Sequence, residues 1–368
     1  MVSFRRWGNE LYTGRRSYDI VGKRRRWFVA AAILVLASLL VLGTRGINAG
    51  IEFRGGSQFT VSGAASTAEQ PAYDAVAELG GEPPRVSTVG DDTVRVQTEE
   101  LSDVETRELR QSLAEAYDVP AEDVASSFIG PVWGQDVTVQ ALISLVVFLA
   151  LISIILIIYF RTWTMAVGAL GALLHDVVLT AGIYAAVGFE VTPASVIGLL
   201  TILGYSLYDT VVVFDKVREN NQHLFTQEAR TYSEGANLAI NQTMVRSINT
   251  SVTGLLPVGS ILFVGSFLLG AGTLRDISLA LFVGMAVSTL SSIFLAAPIE
   301  AALRERNEKI AKHTATVLGK RERRRKADAA AGEDVDVTAS TADLTGVGIV
   351  AGRHLGHAAQ PRRKKGRR

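Results

Sequence analysis

Gly204-Tyr205-Ser206-Leu207-Tyr208-Asp209-Thr210 interrupts an apolar run, 191 to 214, that otherwise has the composition of a membrane helix. An ionised carboxylate in hydrocarbon costs several kcal/mol even on mild scales, so a residue such as Asp209 faces protein or water and marks an ion or proton path. A buried aspartate that only ties one helix to another is the plainer reading of the same residue. The choice between them depends on what surrounds this stretch.

Outward from it, charge and apolarity are segregated along the 368 residues, although the formal net charge is only +1. Residues 1–26 carry eight Lys/Arg against two acids, residues 304–326 carry ten against three, and residues 44–135 carry six against sixteen. This is the positive-inside pattern of a membrane protein with both termini cytoplasmic and an acidic domain outside. The absence of cysteine excludes disulfides, thiolate catalysis and cysteine-bound zinc. No phosphate-cradling glycine loop of the Walker type is present.

Six spans are expected: 27–43, 137–160, 163–189, 192–214, 247–269 and 277–299, each long enough to cross hydrocarbon as a helix. A cleaved signal peptide is the alternative for the first, against which stand a long basic leader (1–26) and five further spans. Between the first two spans, residues 44–135 read as β-α-β-β-α-β, a small ferredoxin-like α+β sandwich on the outer side. In it, 51–54 read as strand before the Gly55-Gly56 bend, 67–80 and 102–117 as helices, 86–89 and 94–96 as a hairpin about 90–92, and 124–129 as the last strand. Without histidine or carboxylates at metal-ligand spacing, this domain reads as binding or mechanical, not catalytic. Gly130-Pro131-Val132-Trp133-Gly134 returns the chain to the bilayer and Gly270-Ala271-Gly272 makes the last outer turn. Residues 215–242 read as a polar, helix-prone inner loop, and 300–368 as a basic, largely disordered tail. Its basic runs either fix topology or attract anionic lipid or ribosomal RNA.

His175 and Asp176 fall near the middle of the third span, which makes them either a relay extending from Asp209 or a hydrogen-bonded helix-packing pair. Tyr205 and Tyr208 share these two readings. Arg246 heads the fifth span at a depth matching Asp209, so it is either a charge partner or a topology flank. A carboxyl beside a guanidinium has two states, ionised and paired or protonated and released, and helix movement can switch between them. The membrane potential, worth about 2.3 kcal/mol per charge per 100 mV, would then drive the cycle without nucleotide. An intramembrane aspartyl protease needs a second aspartate within Gly-x-Gly-Asp, and Asp176 stands instead in Leu173-Leu174-His175-Asp176. A subunit that moves no protons and only stabilises a partner transporter is the third possibility.

Several stretches together resemble the SecF side of the SecD/SecF family, within the RND superfamily. They are Gly50-Ile51-Glu52-Phe53-Arg54-Gly55-Gly56, Gly130-Pro131-x-x-Gly134, Leu174-His175-Asp176, the run from Gly204 to Asn220, and that from Asn241 to Ser251. The resemblance covers roughly residues 18–305. It implies a multi-pass subunit of the bacterial inner membrane that works with SecD, the SecYEG channel and the SecA motor on a translocating preprotein. It further implies YajC and YidC as neighbours, no cofactor, and a proton motive force acting through Asp209 and Arg246. The family usually has Asn where Tyr208 stands, and the extended basic tail lies outside the resemblance. Half of another RND-type exporter remains an alternative within the same superfamily.

Overall fold

In a computed structural model of the chain, residues 4–80, 82–89, 92–266 and 272–330 are described. A short helix α1 (Phe4–Tyr12) precedes the long apolar α2 (Arg24–Arg45) and the single turn α3 (Ile51–Arg54). A sheet domain follows: β1 (Gly56–Val61), α4 (Gln70–Glu78), β2 (Arg85–Val89), β3 (Thr93–Thr98), α5 (Asp103–Ala116) and β4 (Val124–Ile129). The helices α6 (Pro131–Phe160), α7 (Trp163–Val187), α8 (Pro193–Asn220) and α9 (Tyr232–Ser260) come next, and a π-helical turn (Ile261–Ser266) continues α9. Helix α10 (Gly272–Ser291) runs through a second π turn (Ser292–Ala296) into α11 (Ala297–Arg304), and α12 (Glu308–Ala330) is the last described element.

Among the described residues, six helices are long and apolar enough to cross a membrane: Arg24–Arg45, Pro131–Phe160, Trp163–Val187, Pro193–Thr226, Tyr232–Gly265 and Leu274–Arg304. Helices α2 and α6 expose Leu36, Leu40, Val146 and Ile158 around their outer faces, while α7, α8 and the last span bury small residues inside the bundle. A helix satisfies its own backbone groups and so tolerates hydrocarbon, which gives the exposed apolar faces a solvent. Where two helices cross, glycine lets their backbones meet. A Cβ on Gly182 of α7 would lie 2.3 Å from the Cβ of Ser38 on α2, and one on Gly284 of α10 would lie 2.3 Å from the Cδ1 of Ile202 on α8. Gly182→Leu therefore overpacks the α2–α7 crossing and lowers stability by about 1–3 kcal/mol. Thermal unfolding in detergent measures the loss.

The four strands pair antiparallel in the order β2-β3-β1-β4, with Phe59 opposite Val96 and Ser126. Phe59, Val61, Val94 and Val96 pack with Leu109 and Leu113 of α5 and Ala72 and Val76 of α4 into a core separate from the bundle's. Helix α5 opens with a capping box in which Ser102 and Glu105 satisfy each other's backbone amides. Ser102→Ala destabilises this domain by about 1 kcal/mol, seen as faster hydrogen exchange along α5. The bonds from Ser102 hold the Glu105 carboxyl below its usual range. A depressed folded value gives stability that is present above the unfolded value and lost as pH falls through the folded one, so the penalty of the substitution shrinks in acid.

Residues 51–54 form a helical turn rather than the expected strand. They have no strand beside them, and Gly55 N–H closes the turn on Ile51 O at 2.7 Å. The two glycines that follow are needed for different reasons. Gly55 has φ +80° and lies against the backbone of Pro131, whereas Gly56 has φ +132° with Thr98 O 2.4 Å from where a Cβ would stand.

The polar loop expected at 215–242 is shorter, because charge alone does not end a helix: α8 continues through Lys216 and Arg218 to Asn220, and α9 starts at Tyr232 behind a Thr231/Glu234 capping box. The fifth long helix thus begins well before residue 247. The tail likewise starts as helix: α11 ends at Arg304 and α12 packs back on the α8–α9 loop, with Arg321 paired to Glu234 and His313 Nε2 2.8 Å from Gln227 O. The leader also carries structure, since Asn237 and Asn241 of α9 bind the backbone of Tyr18, Ile20 and Val21. The Gly90–Asp91 part of the hairpin turn, most of the turn expected at 270–272, and the tail beyond residue 330 lie outside the described residues.

Candidate functional site

Asp209 and Asp176 are 6% and 1% exposed, and each accepts two serine hydroxyl bonds inside the bundle. On Asp209, Oδ1 accepts from Ser247 Oγ of α9 at 2.8 Å and Oδ2 from Ser292 Oγ of the last span at 2.8 Å. On Asp176, Oδ2 accepts from Ser206 Oγ of α8 at 2.9 Å and from Ser291 Oγ of α10 at 2.8 Å. Four long helices therefore meet at two carboxyl groups.

The local sequence explains the placement. Ser206 and Asp209 are three apart on α8 and share a face, so one helix donates to Asp176 and presents the second carboxyl beside it. Ser291 and Ser292 are adjacent and point about 100° apart around the helix, which sends one hydroxyl to α7 and the other to α8. The π turn begins at Ser292 and changes the phase of the helix there. Deeper hydroxyl contacts continue the cluster: Thr289 Oγ1 donates to Ser251 Oγ at 2.8 Å, and Ser251 donates to Ser247 O at 2.8 Å. Tyr205 Oη donates to Thr250 O at 2.6 Å, bridging α8 and α9 alongside.

Arg246 does not pair with Asp209. Its Nη2 donates instead to Tyr208 Oη at 3.1 Å, and Tyr208 is 55% exposed. The cause is helical phase: Ser247 occupies the side of α9 that faces Asp209, so the preceding residue must point elsewhere. Arg246 lines a cleft of about 1400 Å³ between α1, α8 and α9 that also includes Arg6, Tyr12, Asp215 and Asn249. His175 keeps to its neighbour, with Nδ1 3.3 Å from Asp176 Oδ1, while its buried Nε2 has no hydrogen-bond partner among the described residues.

The four-serine shell suits a carboxyl that changes protonation. A serine hydroxyl donates to a carboxylate and, after rotating, accepts from a carboxylic acid, so both forms can be satisfied in place. An arginine partner would satisfy only the ionised form. Ser291, Ser292 and Thr289 are not singled out from sequence, where the last span reads only as an apolar helix. The clue is the run Ser288-Thr289-Leu290-Ser291-Ser292, four hydroxyls in five residues of an apolar helix. No group of three or more metal-ligating side chains occurs among the described residues.

Comparison with known proteins gives a consistent answer. Residues 109–306 match the model for "Protein export membrane protein SecD/SecF, C-terminal", and residues 40–63 match the "SecD/SecF GG Motif". The chain is 43% identical to the protein translocase subunit SecF of Streptomyces coelicolor, over 85% of this chain and 84% of that one. It is 42% identical to the Mycobacterium tuberculosis subunit of the same name, over 85% and 73%. A crystal structure of SecDF, a translocon-associated membrane protein from Thermus thermophilus, superposes with a TM-score of 0.70 at 32% identity, covering 80% of this chain and 39% of that longer one.

Proposed function

The chain belongs to the SecD/SecF family of protein export membrane proteins, and from that premise we propose that it couples proton movement through Asp209 to the export of preproteins. Its SecF-like role in Sec protein export, as a multi-pass translocase subunit, follows from the family itself. The proton step rests on one observation: a carboxyl group enclosed by hydroxyls from separate spans, in a shell that suits both of its protonation states. Asp176, with its own hydroxyls and His175, is the second station of this cluster.

SecD is the partner. The SecDF relative from Thermus thermophilus, of which this chain covers 39%, carries both names in one polypeptide. SecYEG with SecA would supply the channel and motor for the preprotein, and YajC and YidC are neighbours by the family resemblance alone. The bacterial inner membrane holds the complex, with both termini cytoplasmic and anionic lipid at the basic segments. The sheet domain then lies outside as a ferredoxin-like module, a reading that its strand order β2-β3-β1-β4 supports. In this scheme Arg246 reaches Asp209 only when α9 turns, and the ion pair belongs to a second state of the cycle.

The scaffold reading has one observation in its favour, since the Asp209 bonds also tie α8, α9 and the last span together. Inverted vesicles from cells lacking the subunit, resupplied with SecD and either this chain or its Asp209→Asn variant, separate the two. The chain restores a proton-gradient stimulation of preprotein export that the variant does not, whereas equal stimulation with the two contradicts the proposal.

A further inference from the structure

Outside the serine cluster, one more carboxyl among the described residues is wholly enclosed in the bundle. Glu300 of α11 is 0% exposed, with Tyr232 Oη of α9 donating to Oε1 at 2.7 Å and Thr164 Oγ1 of α7 at 3.4 Å. Its Oε2 has no hydrogen-bond partner among the described residues. A Cβ on Gly168 of α7 would stand 3.2 Å from the Cβ of Glu300 and 3.2 Å from the Cζ of Phe214, so α7, α8 and α11 close around it. Tyr232 and Arg304 are the titratable or charged groups that face it. No ion pair forms with Arg304, which stands one turn on, in the spacing at which a glutamate and a following arginine attract.

We propose that Glu300 is the inner station of the proton path, taking the proton that Asp209 releases and passing it to the solution at the far end of the bundle from the sheet domain. The placement carries the argument. Glu300 follows Ser292, the hydroxyl on Asp209, by eight residues along one continuous helical run, about 12 Å of rise. It lies where the span ends, beside the first turns of α7 and α9. A purely structural carboxyl in such a place has both oxygens engaged, whereas Oε2 here is free to hold or accept a proton. When Glu300 loses the proton to water, Tyr232 still donates to the carboxylate and Arg304 can close on it. The proton balance is simple: one proton leaves the Asp209 carboxyl, passes to the Glu300 carboxylate on water that enters when the packed core around Phe214 and Ala296 opens, and departs from the Glu300 carboxyl to bulk water.

The inference rests on the proton reading of Asp209, and the test keeps the two apart. Vesicles carrying SecD with wild-type chain, Asp209→Asn, Glu300→Gln, Glu300→Asp or Tyr232→Phe are assayed for gradient-stimulated preprotein export across a range of inner-side pH. Glu300→Gln keeps the shape and the bond from Tyr232 but cannot titrate. It is expected to lose the stimulation with assembly intact, Glu300→Asp to retain part of it, and Tyr232→Phe to displace the pH midpoint. Loss in Asp209→Asn with a wild-type profile in Glu300→Gln overturns the Glu300 role alone. Undiminished stimulation in Asp209→Asn overturns both. Should Glu300→Gln fail to assemble, an unshifted midpoint in Tyr232→Phe together with a wild-type rate in Glu300→Asp still rejects the proposal.

Discussion

Asp209→Asn brings gradient-stimulated export down to the rate without a gradient, while the complex with SecD still assembles. The amide has nearly the shape of the carboxyl, and Ser247 and Ser292 can each rotate so that one donates to its oxygen and the other accepts from its nitrogen. The structural loss is therefore small, on the order of the ~0.6 kcal/mol average for side-chain hydrogen bonds between membrane helices. What disappears is the ability to carry a charge through the field, worth about 2.3 kcal/mol per proton per 100 mV. Ser292→Ala is the informative contrast, because it removes one of the two hydroxyls and leaves the titrating group. Its stimulation is reduced but not lost. A scaffold would show no such ranking, tolerating Asp209→Asn as well as Ser292→Ala.

A cross-link between Gln97→Cys and Glu190→Cys blocks the stimulated component of export reversibly. The sheet domain sits on the bundle through Gln97, whose Nε2 is 2.6 Å from Glu190 Oε1, and through Arg95, 3.5 Å from the same carboxylate. Arg275 at the head of α10 adds a contact to Thr88 O at 3.5 Å. These polar bonds lie beside a cleft of about 380 Å³ lined by Asn48, Tyr73 and Phe189. Such a seat can open at modest cost, as expected of a domain that swings during transport. The chain contains no cysteine, so the introduced pair has no competitor. Bridging should stop the stimulated export, and reductant should restore it; an unchanged rate in the bridged protein removes domain movement from the mechanism.

Much of this architecture is legible in the residues. Apolar length gives the spans, the alternation of Val86 to Val96 gives the hairpin, and the cost of a carboxylate in hydrocarbon singles out Asp209 and Asp176. Other features are not legible, for physical reasons. The turn at 51–54 looks like a strand because it is apolar and β-prone beside Gly55, and only the missing partner strand makes it helical. The ends of α8 and α9 are set by capping, so Lys216 and Arg218 mislead when charge is read as loop. The partner of Asp209 depends on helical phase, which depth along a span does not contain. Equal depth points to Arg246, whereas the side of α9 that turns inward presents Ser247.

Proton uptake is the direct measurement. Inverted proteoliposomes holding SecYEG, SecD and this chain, with SecA and preprotein outside, a pH-sensitive dye in the lumen and a lumen-positive potential, should turn alkaline in the lumen during preprotein transport and should not do so with Asp209→Asn. An equal luminal pH change in the two would contradict the claim that this carboxyl gains and loses the transported proton.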